Sequence, residues 1–301
     1  CLASWQNWLR QKYGTLDAIY ELPYRREAHP GYRVPVPALE PVRFSLTSHR
    51  GCFGGCSFCA LTHHQGRIIQ NRSIESLERE AARIAGMPGF KGVISDVGGP
   101  TANMYGMECR QWAVAGPCPD RSCPGCPNLE ISHRRQLELL RRLKSVPGVR
   151  HVFIGSGMRY DLLVADPDRP LTELCEHHVS GHLKVAPEHI SSHVTNLMRK
   201  PGKEVFEKFL FEFESCQQGR DSRQYILPYF MSGHPGCTVA DMVNLAEFIH
   251  HNRLYTEQVQ DFTPTPMTLS TCMYYTGLDP FSMEPVHVPR GDEKRIQRAL
   301  L

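Results

Sequence analysis

Six short apolar stretches alternate with amphipathic helical ones between residues 42 and 262, and this alternation limits the possible folds more than any other feature of the chain. Residues 42–48 set Val, Phe and Leu against Arg, Ser and Thr with a period of two, the pattern of a half-buried strand. Further strands are expected over residues 92–97, 149–155, 182–186, 224–231 and 257–262. A helix follows each of the first five. Ser73 caps one with Ile74, Leu77, Ala81 and Ile84 on a common face, and Ser132 caps another with Leu137, Leu140, Leu143 and Val146. Residues 171–178 form a short helix. Residues 203–214 carry Val205, Phe206, Phe209, Leu210 and Phe213, and Thr238 with Asp241 three positions on opens the next helix as a capping pair. Strands alternating with helices predict an α/β fold whose parallel strands are joined by right-handed crossovers. Six such units fall short of the eight of a closed barrel.

Hydrophobic residues make up 41% of the 301, enough for a sizeable core. The formal net charge of +3 argues against non-specific binding to nucleic acid or an anionic membrane. No apolar run approaches the roughly 20 residues of a membrane span. Arg134, Arg135, Arg141, Arg142 and Lys144 read as the solvated outer face of one helix. Residues 1–41 read as a lead-in: Trp5, Trp8 and Leu9 suit a short amphipathic helix, and Pro23, Pro30, Pro35, Pro37 and Pro41 then favour an extended wrap over the domain. The first residue is Cys1 rather than Met, and residues 291–301 look like the start of a C-terminal helix or tail, so a portion of a longer protein is expected.

The chain has twelve cysteines, seven of them in two clusters, which suits metal binding in a reducing cytoplasm better than a disulfide scaffold. Cys52, Cys56 and Cys59 follow the first strand in a C-x3-C-x2-C spacing. Soft thiolates at such intervals suit zinc or an iron–sulfur cluster. A closed zinc site wants four protein ligands, and His63 and His64 are awkwardly placed to supply a fourth. A four-iron cluster on three thiolates leaves one iron open to a substrate. Gly51, Gly54 and Gly55 let the backbone wrap closely round such a bulky group. The second cluster lies between the second strand and the next helix: Cys109, Cys118, Cys123 and Cys126, interleaved with Pro117, Pro119, Pro124 and Pro127. Four thiolates suit a structural zinc ion or an auxiliary iron–sulfur cluster, and spacing alone does not choose between them. A loop of about thirty residues is uncommon in a compact domain unless something ties it down. Cys175, Cys216 and Cys237 read as core residues, whereas Cys272, after the sixth strand, reads first as packed and otherwise as a hydrogen donor or a ligand.

The C-x3-C-x-aromatic-C motif, with Phe58 in the aromatic slot, resembles that of the radical S-adenosylmethionine (SAM) enzymes. Longer stretches, among them residues 49–56, 94–105, 178–181, 184–189 and 258–262, look like the YgiQ-type radical SAM proteins, and the resemblance runs through nearly the whole chain. It implies an open partial (β/α)6 barrel of the TIM-like type over residues 42–290, with residues 101–130 as a Cys-rich insertion. It also implies a [4Fe–4S] cluster on Cys52, Cys56 and Cys59 whose open iron binds SAM. Reduction of such a cluster cleaves SAM to a 5′-deoxyadenosyl radical that abstracts hydrogen from a substrate. Loops after the C-terminal ends of the strands carry the chemistry in barrels of this kind. Gly98-Gly99-Pro100 resembles the superfamily's Gly-Gly-Glu motif; Pro100 replaces the acidic residue, so only the backbone role towards SAM is implied. Ser156 and Arg159 follow the third strand. Lys184 and Glu188 stand where related enzymes place polar groups on SAM, a salt bridge between barrel residues being the alternative. His234 and Pro235 look like the turn at which backbone meets adenine in related branches.

Family members are longer, with an upstream domain likened to cobalamin-binding folds, so cobalamin is a further expected cofactor. An electron donor such as a flavodoxin or ferredoxin is the implied partner. Three readings follow: a radical SAM enzyme on an unidentified substrate, a methylthiotransferase-like enzyme modifying tRNA or protein, and a non-catalytic iron–sulfur or electron-transfer protein. The modest charge weakens the RNA case, and a carrier would need four closed ligands.

Overall fold

The computed structural model describes residues 14–118, 123–220 and 222–301. The helix expected around Trp5 and Trp8 lies outside the described residues. In chain order the elements are α1 (Gly14–Tyr20), β1 (Ser45–Thr47), β2 (His49–Arg50), α2 (Leu61–Gln65), β3 (Gln70–Asn71), α3 (Ile74–Ala85), β4 (Val93–Ile94) and β5 (Asp96–Gly98). Then come β6 (Glu108–Cys109), α4 (Trp112–Ala115), β7 (Leu129–Glu130), α5 (Arg134–Lys144), β8 (His151–Val152), α6 (Tyr160–Ala165), α7 (Leu171–His177) and β9 (His182–Glu188). The chain continues through α8 (Ser192–Met198), α9 (Lys203–Gln217), β10 (Tyr225–Ser232), α10 (Val239–His251), β11 (Gln258–Asp261), α11 (Leu269–Thr276) and α12 (Gly291–Ala299).

The fold is α/β, and its principal strands run parallel in chain order. β1 pairs with β5, β4 with β8, and β10 with both β9 and β11. A parallel bridge between Met158 and Val185 joins the segment after β8 to β9. No pairing closes β11 back onto β1 among the described residues. Pro228 interrupts β10: it has no N–H to give, and the register with β9 slips between Pro228 and Phe230. Glu188 sits opposite that slip with φ of 66°, a left-handed conformation uncommon for a side chain of its size.

Alternation decides what is buried. Leu46, Ile94, Val97, Val152, Leu183, Val185 and Phe230 point from the strands into one apolar cluster with Leu77 and Ile84 of α3, Leu140 and Leu143 of α5, and Phe206 and Phe209 of α9. Ser73 accepts from the Ser76 N–H as the cap of α3, and Thr238 and Asp241 form the expected capping box on α10. Ser132 is not the cap of α5. His133 takes that place because Asp166 holds both its backbone N–H, at 2.8 Å, and its ring Nδ1, at 2.6 Å. The basic face of α5 is exposed as expected, and its arginines pair with Asp168, Glu173, Glu75 and Glu78.

The lead-in is fastened to α3. Asp17 Oδ1 accepts from the Ser73 N–H, Glu21 accepts from Arg79 and Arg83, and Arg26 reaches Glu80 and the carbonyls of Arg43 and Ser45. The Cys-rich insertion is not structureless, contrary to expectation. β6 and β7 pair antiparallel at its base, and α4 forms within it. Its Met104, Met107, Trp112, Cys123 and Leu129 bury against Cys52, Phe53 and Ile69 in an apolar cluster separate from the main one.

Candidate functional site

Parallel strands present their C-terminal ends at one edge, and the segments leaving those ends converge on residues 51–59. Gly51 has φ of 90°, and a side chain there would run into the carbonyl of Ile68. Gly55 also lies at positive φ, 69°. These two positions explain why the loop needs glycine. The Cys52 N–H donates to the Gly66 carbonyl at 3.0 Å, and the Ser57 N–H to that of Met198. Ser57 in turn accepts, through its carbonyl, from the Ser270 N–H of α11. The loop is thus held by elements from both ends of the domain.

Cys52 is buried; Cys56 and Cys59 are half-buried, and all three are free thiols. Burial pushes the Cys59 thiol up to about 11, with Cys56 and Cys52 adding to the rise. The Cys52 Sγ lies 3.5 Å from Thr101 Oγ1. Arg159 comes in from the other side: its Nε and Nη2 grip Asp161, and its Nη1 points at Cys56 Sγ, 3.8 Å away. Gly54 makes room for this approach, since a Cβ there would stand 2.8 Å from Arg159 Nη1 and 3.4 Å from Cys52 Sγ.

Three mutually interacting thiols on a glycine-bent loop fit a cluster that accepts three thiolates. A closed zinc site would want a fourth protein ligand. A four-iron cluster is larger and spreads its ligands more widely. The second set behaves similarly. Cys109, Cys118, Cys123 and Cys126 are free, and burial raises the Cys123 thiol against the Arg67 charge, with the other three thiols adding to the rise. Arg67 binds this set from the main loop, donating from Nη2 to Cys123 Sγ at 3.4 Å and from Nη1 to the Cys118 carbonyl.

The other expected residues divide. Gly98 lies between Ser156 and Asp96, with Ser156 Oγ 2.5 Å from where its Cβ would be. Gly99 lies flat on the His49 ring, where a side chain would collide. Pro100 ends that turn, half-buried. The Ser156 hydroxyl is occupied by Asp96, which also accepts the backbone N–H groups of Gly155 and Ser156. Lys184 is half-buried on β9 with no polar side-chain partner among the described residues. Glu188 is buried, and burial raises its carboxyl above the usual range, opposed only by Lys200, 3.8 Å away. That is the salt bridge expected as the alternative for Glu188, and Lys200 is its partner.

His234 is expected only as part of a turn that offers its backbone, and its ring is engaged within the protein. Its Nδ1 bonds the Pro235 carbonyl and its Nε2 bonds Ser270 Oγ, both at 2.7 Å, so the ring has nothing left for a ligand. It acts instead as packing, edge-on to Phe58 at 6.2 Å and to Phe262 at 5.2 Å. Pro235 is buried beside it. Cys175 and Cys237 are core residues as expected and Cys216 is half-buried. Cys272 is exposed rather than packed, because α11 turns its Met273 inward.

Sequence reasoning missed Asp161, Lys200, Arg67 and Asn103. Asn103 clamps the Arg159 backbone from both sides, accepting from its N–H at 2.8 Å and donating to its carbonyl at 2.9 Å. Only Asp161 carried a local signal, standing two residues after Arg159.

Comparison with known proteins agrees with the YgiQ-type resemblance. Over 290 residues, 95% of this chain and 46% of the relative, the sequence is 60% identical to a UPF0313 protein of Methanosarcina mazei. It is 56% identical over 292 residues to a UPF0313 protein of Geobacter sulfurreducens, spanning 48% of that protein. This chain is homologous to the UPF0313 proteins. It spans about half the length of the curated relatives it matches. Residues 257–301 match a domain of unknown function, DUF3362. Among solved structures, the radical SAM methyltransferase TsrM of Kitasatospora setae, with cobalamin and a [4Fe–4S] cluster bound, overlays at a TM-score of 0.49 and 14% identity, over 82% of this chain and 40% of that one. Coproporphyrinogen III oxidase of Escherichia coli, a radical SAM enzyme, overlays at 0.48 and 13%, over 84% and 48%. Neither overlay by itself establishes a shared fold. No helix among the described residues is long and apolar enough to cross a membrane.

Proposed function

We propose that the protein is a radical SAM enzyme of the partial-barrel type, acting on a substrate yet to be identified. The observation that carries this reading is the meeting of Cys52, Cys56 and Cys59 on one glycine-bent loop at the C-terminal edge of parallel strands, with no fourth protein ligand beside them among the described residues. When bound, a [4Fe–4S] cluster there would supply an iron site for SAM and the electron that cleaves it. The chain's own residues have separate tasks. The three thiolates hold the cluster, and the backbone at Gly98 and Gly99, which packs closely against Ser156 and His49, offers its polar groups to the methionyl part of SAM. Lys184, half-buried without a polar partner, is available to a carboxylate. Phe58 packs edge-on against the buried His234 beside the loop.

Cys109, Cys118, Cys123 and Cys126 hold a second metal centre, zinc or an auxiliary cluster, and Arg67 ties it to the first loop. An electron donor such as a flavodoxin or ferredoxin, and cobalamin bound outside this stretch, complete the set.

The test is anaerobic reconstitution of wild type and of the Cys52→Ala, Cys56→Ala, Cys59→Ala triple variant. Wild type should gain the broad absorption of a four-iron cluster and, once reduced, convert SAM to 5′-deoxyadenosine; the variant should do neither. A triple variant that keeps all the iron refutes the ligand set. A loaded, reduced wild type that leaves SAM intact refutes the enzyme class.

A further inference from the structure

Arg159 is a charged side chain with only 8% of its surface exposed, and its position is over-determined. Asn103 holds its backbone on both sides, as described above. Asn103 is itself fixed by His133 Nε2 at 3.1 Å, and His133 Nδ1 by Asp166 at 2.6 Å. All three of these residues are buried. Asp161 then takes Nε and Nη2 of the guanidinium, which fixes the plane of the fork and leaves Nη1 directed at Cys56. Nη1 has no partner among the described residues other than that sulfur, at 3.8 Å, within reach for a sulfur acceptor. Gly54 lies between the guanidinium and Cys52, and any larger residue would stand in the gap.

A buried network ending in one N–H aimed at one thiol has little purpose as a structural brace, since Asp161 alone would satisfy the charge. We infer that Arg159 donates a hydrogen bond to the Cys56 thiolate and sets the reduction potential of the cluster held there; this rests on the cluster proposed above. The physical basis is general. Potentials of iron–sulfur clusters rise with hydrogen bonds to their sulfurs and with nearby positive charge, because both stabilise the added electron. In a site this buried the effect is little screened. Arg159 is therefore a positioning and tuning residue, acting through Cys56.

The experiment measures the midpoint potential of the reconstituted cluster by spectroelectrochemistry, without SAM, in wild type, Arg159→Met and Gly54→Ala. Arg159→Met removes the donor. Gly54→Ala keeps every charge and pushes Nη1 off the sulfur. Both should keep full iron content, and the equilibrium constant for one-electron reduction should fall at least tenfold in Arg159→Met, a shift of about 59 mV to more negative potential. The fall should be smaller but in the same direction in Gly54→Ala. Should Arg159→Met fail to load because Asp161 is left unpaired, Gly54→Ala decides alone. Loaded variants whose potentials match wild type overturn this inference and leave the cluster reading standing. A wild type that loads no cluster overturns both, and iron analysis of the wild type alone distinguishes the cases.

Discussion

Three histidines give the fold a steep sensitivity to acid. His49, His189 and His234 are each buried, and burial lowers each from 6.5 to about 4, against the smaller opposing pull of a backbone hydrogen bond at His49 and His234 and of Asp241 at His189. His189 shows why: its Nδ1 accepts from the N–H groups of both Ile190 and Ser191, at 3.0 and 3.1 Å, and a proton there would break both bonds. A folded-state value below the unfolded one means stability that is complete above 6.5 and is lost as the pH falls towards 4. At pH 5 the unfolded chain holds these protons and the folded chain does not, which amounts to about 2 kcal/mol for each histidine and about 6 kcal/mol for the three. That is of the order of the whole stability of an ordinary domain. Asp166 and Asp241, held below the usual carboxylate range by hydrogen bonds that outweigh burial, keep their charge through this window. Urea titrations followed by circular dichroism at about pH 7.5 and about pH 5 should therefore show most of the unfolding free energy gone at the lower pH. His189→Gln should remove about a third of the dependence. A loss below about 2 kcal/mol between the two conditions refutes the reasoning.

Two substitutions probe the frame around the loop. Gly51→Ala puts a side chain at φ of 90° and against the Ile68 carbonyl, so it should destabilise by roughly 1–3 kcal/mol or more and lower cluster loading, measured as the unfolding midpoint and iron per chain. Arg72 is fully buried with Glu80, the Thr47 carbonyl and Ser76 around it, and Glu80 keeps Arg26 as a second partner, so Arg72→Met should cost about 1–3 kcal/mol through the acceptors left unpaired at Thr47 and Ser76, and the further change Arg26→Met, which does strand Glu80, should cost clearly more in the same assay.

Much of the fold was legible because burial imposes a period. Alternation located all six principal strands, and capping chemistry located α3 and α10 to the residue. Strand lengths were not legible. Residues 149–155 read as one strand but keep regular pairing only at β8, because the segment shares its bonds among Gly92, Ile94 and His178. α6 and α8 were missed: each is short and starts from Arg159 or Ser191 without a side-chain cap. The cysteines announced themselves through local spacing. Arg159 and Cys56 meet across 103 positions, and Lys200 reaches Glu188 only because α8 folds back, so neither contact leaves a trace in local sequence. The turn at His234 recorded backbone shape only, so the ring's bonds to Pro235 and Ser270 were not legible.

The Cys-rich insertion allows a graded prediction rather than an all-or-none one. Its base is held twice without any metal: β6 pairs with β7, and Met104, Met107 and Leu129 are buried with Phe53 and Ile69 of the main loop. Trp112 adds an aromatic contact to Phe53 at 6.0 Å. Beyond that point the support thins. Val114 is 81% exposed, and although Cys123 is buried in that cluster, Cys118 and Cys126 have, among the described residues, little beyond an Arg67 contact at the Cys118 carbonyl and short turns. For such a segment the energy of a shared metal is local folding energy. Stripping the second centre with a chelator, or replacing Cys118 and Cys126 with Ser, should therefore raise amide exchange in residues 110–118 and 123–128. Residues 104–109, 129 and 130 should stay protected, since apolar burial and strand pairing hold them regardless. Uniform protection throughout would mean that no metal ties the loop. Uniform loss, base included, would mean that the shared apolar cluster is too weak to hold the insertion to the main loop.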